Sequence, residues 1–134
     1  MKILFIISLL IISVPVWSNI NVDLVIAFQK GNFNKAKQLI DLGANIKTQS
    51  TEGKTLLHFA IDKGNIEMVN FLLGKGVNVN AKAKYKIKSI NKLINGYTPL
   101  HRAAFHDHLK ISKLLIKKGA NINEQNNFKE TPFH

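Results

Sequence analysis

The 134-residue sequence has no cysteine, three prolines, one tryptophan, and only eight carboxylate side chains against nineteen lysines and arginines. Without thiols there is no disulfide, no thiolate nucleophile and no cysteine-held metal, so stability has to come from packing alone. The carboxylates (Asp23, Asp41, Glu52, Asp62, Glu67, Asp107, Glu124 and Glu130) show no paired spacing beyond what surface helices need, which leaves acid–base catalysis without apparatus. Neither G-x-S-x-G nor the glycine-lysine phosphate loop occurs. The longest apolar run, Ile3 to Val14, is interrupted by Ser8 and Ser13 and falls short of the ~20 residues a membrane-crossing helix needs. These absences point away from an enzyme, a cofactor, a bound metal, a small-molecule substrate and a permanent membrane anchor.

What the sequence does have begins with its first eighteen residues, which differ from the rest. Lys2 gives a positive start, the apolar run follows, Pro15 ends it, and Val16-Trp17-Ser18 place small residues suitably before a cleaved bond. The expectation is a signal peptide over residues 1–18, cleavage before Asn19, and an exported product, periplasmic or secreted. Residues 19–134 have room for one modest domain. The heavy use of Ile, Lys and Asn favours a bacterial source. The formal charge of +11 is spread along the chain rather than gathered in a tail, mainly a solubility device with anionic partners as a second reading.

Self-comparison exposes a repeat. At a spacing of 33 residues Ala27 meets Ala60, Gly31 meets Gly64, Leu39 meets Leu72, Gly43 meets Gly76 and Asn45 meets Asn78. The spacing then becomes 43, pairing Thr55 with Thr98, His58 with His101, Leu72 with Leu115 and Gly76 with Gly119, so one linker has gained ten residues. It returns to 33 when Thr98, Pro99 and His101 recur as Thr131, Pro132 and His134. Within each unit the chemistry predicts two helices. Thr caps a helix N-terminus, and Pro suits the first helical position because it has no N–H to lose. Leu57, Ala60 and Ile61 then fall at helical spacing, as do Met68, Val69, Leu72 and Leu73 on a second helix. Gly43, Gly76 and Gly119 follow the last periodic residue, where a left-handed C-terminal cap favours glycine.

Thr98-Pro99-Leu100-His101-Arg102-Ala103-Ala104, and the segments Phe71 to Asn80 and Leu114 to Asn123, resemble the ankyrin repeat family. The resemblance implies an all-α fold, a solenoid of stacked helix-turn-helix units with short extended finger loops. Its repeats are expected at about 22–50, 51–83 and 94–126, with a partial one at 127–134 and an insertion at about 82–92. It implies a structural, hydrogen-bonding role for His58, His101 and His134. It also implies a protein partner, unidentified, held by finger tips and exposed first-helix positions. Those positions are Gln49, Thr51, Glu52 and Lys54 on the first finger, Tyr85 and Tyr97 on the second, and Phe59, Lys63, Arg102, Phe105 and His106 on helices. For Phe59 and Phe105, packing against the neighbouring repeat is the competing reading.

Several positions depart from the pattern. Val22-Asp23-Leu24-Val25 stand where the first repeat lacks the Thr-Pro-Leu-His opening, and Asp107 replaces a turn glycine. In the insertion, Lys82, Lys84, Lys86 and Lys88 alternate with Ala83, Tyr85 and Ile87, which favours an extended finger; a short helix over Ile87 to Ile94 is the rival. The same lysines, with Lys92, make a basic surface for anionic lipid, cell-wall polymer or nucleic acid the alternative function. The trio His106-Asp107-His108 offers zinc-type ligands but no fourth group, which favours a solvated turn. The last repeat opens without continuing, an arrangement expected to expose apolar surface for self-association or a partner, or to mark a shortened gene without present function.

Overall fold

The computed structural model describes residues 19–133, and the expected signal segment and His134 lie outside them. Among the described residues six helices form three pairs: α1 (Ile20–Lys30) with α2 (Phe33–Asp41), α3 (Leu56–Asp62) with α4 (Ile66–Gly74), and α5 (Pro99–Phe105) with α6 (Leu109–Lys117). The first helices pack in a row, α1 on α3 and α3 on α5, and α4 packs on α6. Strands β1 (Ala83–Ile87) and β2 (Lys92–Tyr97) form an antiparallel hairpin between the second and third pairs. The architecture is therefore a helical repeat fold that carries a two-stranded sheet, where an all-α fold with short extended finger loops was expected.

Helix limits follow from the caps. Thr55 and Thr98 accept the N–H of His58 and His101 on their hydroxyls, while each histidine Nδ1 accepts the threonine N–H at 3.1 Å. Each histidine thus closes a reciprocal box around two otherwise unpaired backbone donors. Asn32 and Asn65 cap the second helices of the first two pairs. Asp107 occupies the left-handed region at φ 57, as glycine does at Gly31 and Gly64, so the tight turn inside the third pair survives the replacement.

The core is a continuous stripe. Leu24, Ala27 and Phe28 of α1, Leu56, Leu57, Ala60 and Ile61 of α3, and Leu100 and Ala103 of α5 are buried together with Met68, Val69, Leu72, Ile111 and Leu115. Ala60 and Ala103 are fully buried, and their small size lets neighbouring first helices approach closely.

The insertion is extended, and the rival helix over Ile87 to Ile94 is not formed. Alternation decides it: Ala83 and Tyr85 turn inward while Lys84 and Lys86 face solvent. The register pairs Tyr85 with Ile94 and Ile87 with Lys92, and a short 3-10 turn over Lys88–Ile90 closes the tip with Asn91 left-handed at φ 51. The hairpin runs past the expected insertion, from 83 to 97. Its flanks are tied to the neighbouring fingers, as Lys84 donates its N–H to the Glu52 carbonyl at 2.8 Å and Asn127 donates to the Asn95 carbonyl at 3.0 Å.

The pairs are joined through the histidines. His58 Nε2 donates to the Tyr97 carbonyl and His101 Nε2 to the Glu130 carbonyl, each at 3.0 Å. Because Nδ1 of each ring is already an acceptor, these bonds require the neutral Nε2–H tautomer. Burial holds His58 down at about 4, against 6.5 for a free imidazole, and lowers His101 as well. The unfolded chain therefore takes up the proton first: stability is complete above pH 6.5 and falls until His58 itself protonates near pH 4. His58 alone contributes a loss on the order of 3 kcal/mol across that window. Urea midpoints measured from pH 7.5 to 4 should fall accordingly, and His58→Phe should have a lower midpoint at neutral pH but a shallower slope; a midpoint flat with pH would refute the neutral buried bridge.

Candidate functional site

Two features bring the expected contact residues together: the hairpin folds back over the seam between α3 and α5, and the first finger lies beside it. Tyr85 and Tyr97 lie with ring centres 5.3 Å apart and planes tilted by 53° between the two bridging rings, with Tyr85 6.1 Å from His58 and Tyr97 stacked 5.0 Å from His101. They are 8% and 7% exposed. Both were expected at an exposed finger surface, and this is corrected: inward alternation on the strands makes them the hairpin's anchor rather than its contact face. Phe59 is likewise 8% exposed and belongs to the main core, so the packing reading holds for it.

Arg102 occupies the centre. From the middle of α5 its Nε donates to Asp62 Oδ1 at 2.7 Å, across the seam at the end of α3, and a terminal nitrogen donates to His106 Nε2 at 2.8 Å. The guanidinium lies 4.2 Å from the Tyr85 ring centre and 5.2 Å from that of Phe105, favourable cation–π distances. Lys54 approaches the Tyr85 ring at 4.2 Å. Arg102 is thus held by a carboxylate, an imidazole and the rings of Tyr85, Tyr97 and Phe105.

The electrostatics keep this cluster fixed near neutral pH. Partial burial, then the adjacent Arg102 charge, holds His106 below the ordinary imidazole range, which preserves its Nε2 as an acceptor. Burial, then the Asp62 charge, pushes the Tyr85 phenol up, so it stays neutral with its hydroxyl turned to Asp62 Oδ2 at 3.5 Å. His106 and His108 stack at 5.5 Å, and Arg102 engages the His106 Nε2, so the trio around Asp107 does not converge on a common point. Among the described residues no group of three histidine or acidic side chains is placed to hold a metal ion.

Beside the cluster, Phe105 projects into solvent at 69% exposure. It borders a cleft of about 320 Å³ lined also by Ile87, Ile94, Ala104, Glu130, Thr131 and Pro132. The remaining expected residues separate into other places. Gln49, Thr51 and Glu52 line a surface depression of about 430 Å³ against α1. Lys63 is exposed, its aliphatic stem running past Gly31.

Asp62 and the cleft-lining residues were missed in the sequence. Asp62 stands forty residues from Arg102, at a spacing that carries no periodic signal, and Ile87 and Ile94 join the cleft only because the insertion folds into a hairpin.

Comparison with known proteins places the chain among similar sequences. The family described as Ankyrin repeats (3 copies) matches residues 24–126. Palmitoyltransferase ZDHHC13 of Mus musculus is 33% identical over 60 residues, 45% of this chain and 10% of that protein. Palmitoyltransferase AKR1 of Naumovozyma castellii is 40% identical over 58 residues, 42% of this chain and 8% of that protein. The 2-5A-dependent ribonuclease of Mus musculus is 33% identical over 78 residues, 58% of this chain and 9% of that protein. The chain spans about a tenth of the length of the relatives it matches. With three helix pairs, threonine-histidine caps at two first helices and a family match over most of its described length, the chain belongs to the ankyrin repeat family.

Proposed function

We propose that this chain is a non-enzymatic protein–protein interaction module, a short ankyrin solenoid exported by way of residues 1–18. Its partner sits across the face made by α3, α5 and the fingers. The observation that carries the reading is Phe105: a large, exposed aromatic beside a cleft of mixed apolar and polar lining, with Arg102 locked behind it by Asp62 and Tyr85. A rigid aromatic at the edge of a concave site loses little conformational entropy on contact, and such residues dominate binding energy at interfaces. Arg102 is largely spent on internal bonds, so its part is to hold Phe105 and His106 in place. Gln49, Thr51 and Glu52, beside α1, add a second, polar contact area. Lys54 and Lys63 tune its charge.

The experiment is affinity capture from the exported compartment with the mature chain as bait, repeated with variants. A partner held by the wild type at moderate salt should bind Phe105→Ala at least tenfold more weakly, the equivalent of about 1.4 kcal/mol. Asp62→Asn, which frees Arg102, should weaken it by a smaller factor, and Glu67→Gln on α4 should leave it unchanged. Equal capture by all three variants would overturn this face as the binding surface. The export reading is checked separately by intact mass: a product beginning at Asn19 is expected, and one retaining Met1 to Ser18 in the exported fraction counts against cleavage.

A further inference from the structure

The hairpin carries a feature that the protein-binding reading does not use. From Lys82 to Tyr97 there is no acidic residue and there are five lysines. Lys82 is paired with Glu124; Lys84, Lys86, Lys88 and Lys92 have no carboxylate partner within salt-bridge distance among the described residues. The nearest finger acids are already engaged: Glu52 lies 3.9 Å from Lys54, and the Glu130 carboxylate accepts from Asn126 Nδ2 at 2.9 Å. At the tip, Lys88 to Leu93 are all exposed, and this run includes two large apolar side chains, Ile90 at 61% and Leu93 at 47% exposure. The tip therefore combines lysines that lack a carboxylate partner with two apolar side chains left about half or more exposed.

We infer that the hairpin tip docks on an anionic lipid bilayer, with Ile90 and Leu93 entering the headgroup boundary and the four lysines lying among anionic headgroups. Charge complementarity selects an anionic surface, since each lysine held near such a membrane favours binding. The apolar pair selects lipid over a soluble polyanion. Phosphate backbones and acidic polymers reward the lysines but offer nothing to Ile90 and Leu93, whereas a bilayer interface takes up both. The hairpin is suited to such contact, because a two-stranded arm anchored through Tyr85 and Tyr97 holds residues 88–93 exposed to solvent.

The absence of cysteine makes the test local. A thiol introduced by Ser89→Cys on the full chain is unique and can carry an environment-sensitive fluorophore; Asn70→Cys on α4 provides the control position. With vesicles of phosphatidylglycerol and phosphatidylcholine, the probe at 89 should shift to the blue, the probe at 70 should not, and pure phosphatidylcholine should give no shift. Affinity should fall roughly fivefold for each of Lys84, Lys86, Lys88 and Lys92 changed to Gln. It should fall about tenfold or more for the pair Ile90→Ser and Leu93→Ser, and steeply with added salt. All six side chains are exposed or at the tip, and unchanged thermal melting of each variant confirms that the fold is kept. No shift at 89, an equal shift at 70, or a shift that survives loss of the four lysines would overturn the inference. So would tight, salt-sensitive binding to an RNA homopolymer without vesicle binding. Phe105→Ala should leave vesicle binding intact, so failure here and failure of the partner-binding face are read independently.

Discussion

Two hydrogen bonds hold the architecture together: His58 Nε2–H to the Tyr97 carbonyl and His101 Nε2–H to the Glu130 carbonyl. Each ring also accepts from its own threonine through Nδ1, so one side chain both starts a helix and ties it to the next unit. An imidazole suits this because its two nitrogens face opposite ways and can take opposite roles. A buried bond of this kind contributes only about 1 kcal/mol net, yet leaving its partners unpaired costs more. The first-helix row, the position of the hairpin and the placement of Arg102 all depend on this alignment. In a chain without cysteine these bonds add direction to the apolar contacts that run from one unit to the next.

The hairpin is built into that linkage rather than added outside it. Its last residue, Tyr97, supplies the carbonyl that His58 grips, and its two tyrosines fill the space between the bridging histidines. The ten extra residues lengthen the finger while leaving the cap geometry of the following helix the same as that of the preceding one. This explains how the period can change from 33 to 43 and return without disturbing the core. It also explains why the contact expectation failed at Tyr85 and Tyr97. Aromatic residues in a finger suggest a surface anchor, but the strand period of two decides which ones point inward, and that depends on a register invisible in a single sequence.

The framework was legible because each part of it has a local cause. Thr55 and Thr98 cap, the core positions recur at helical spacing, and the glycines and Asp107 stand where left-handed turns are needed. The site was legible only where it lies on the repeated helices. Arg102 and Phe105 could be named from their places in α5 and His106 from its place at that helix's C-terminal cap, and the structure gathers them together. Asp62 could not, since nothing in its neighbourhood announces a partner forty residues away across a seam. The cleft beside Phe105 was equally hidden, as it draws residues from the hairpin, from α5 and from the turn at Thr131 and Pro132.

The ties between neighbouring fingers restrict how a second polypeptide can approach. On the outer side of β2, the Asn127 side-chain amide donates to the Leu93 carbonyl, and both backbone groups of Asn95 are bonded to Asn127. On the outer side of β1, the Lys84 N–H is bonded to Glu52. Two-stranded sheets usually expose edges that recruit further strands, either productively or as a start of aggregation. Here the Lys84 N–H on one edge and the Leu93 and Asn95 groups on the other already have partners, so a visiting strand would have to break those bonds to pair at these positions. These ties disfavour strand addition at those positions and leave side chains as the readier route to contact, a restraint on strand-by-strand association of a small, strongly basic chain.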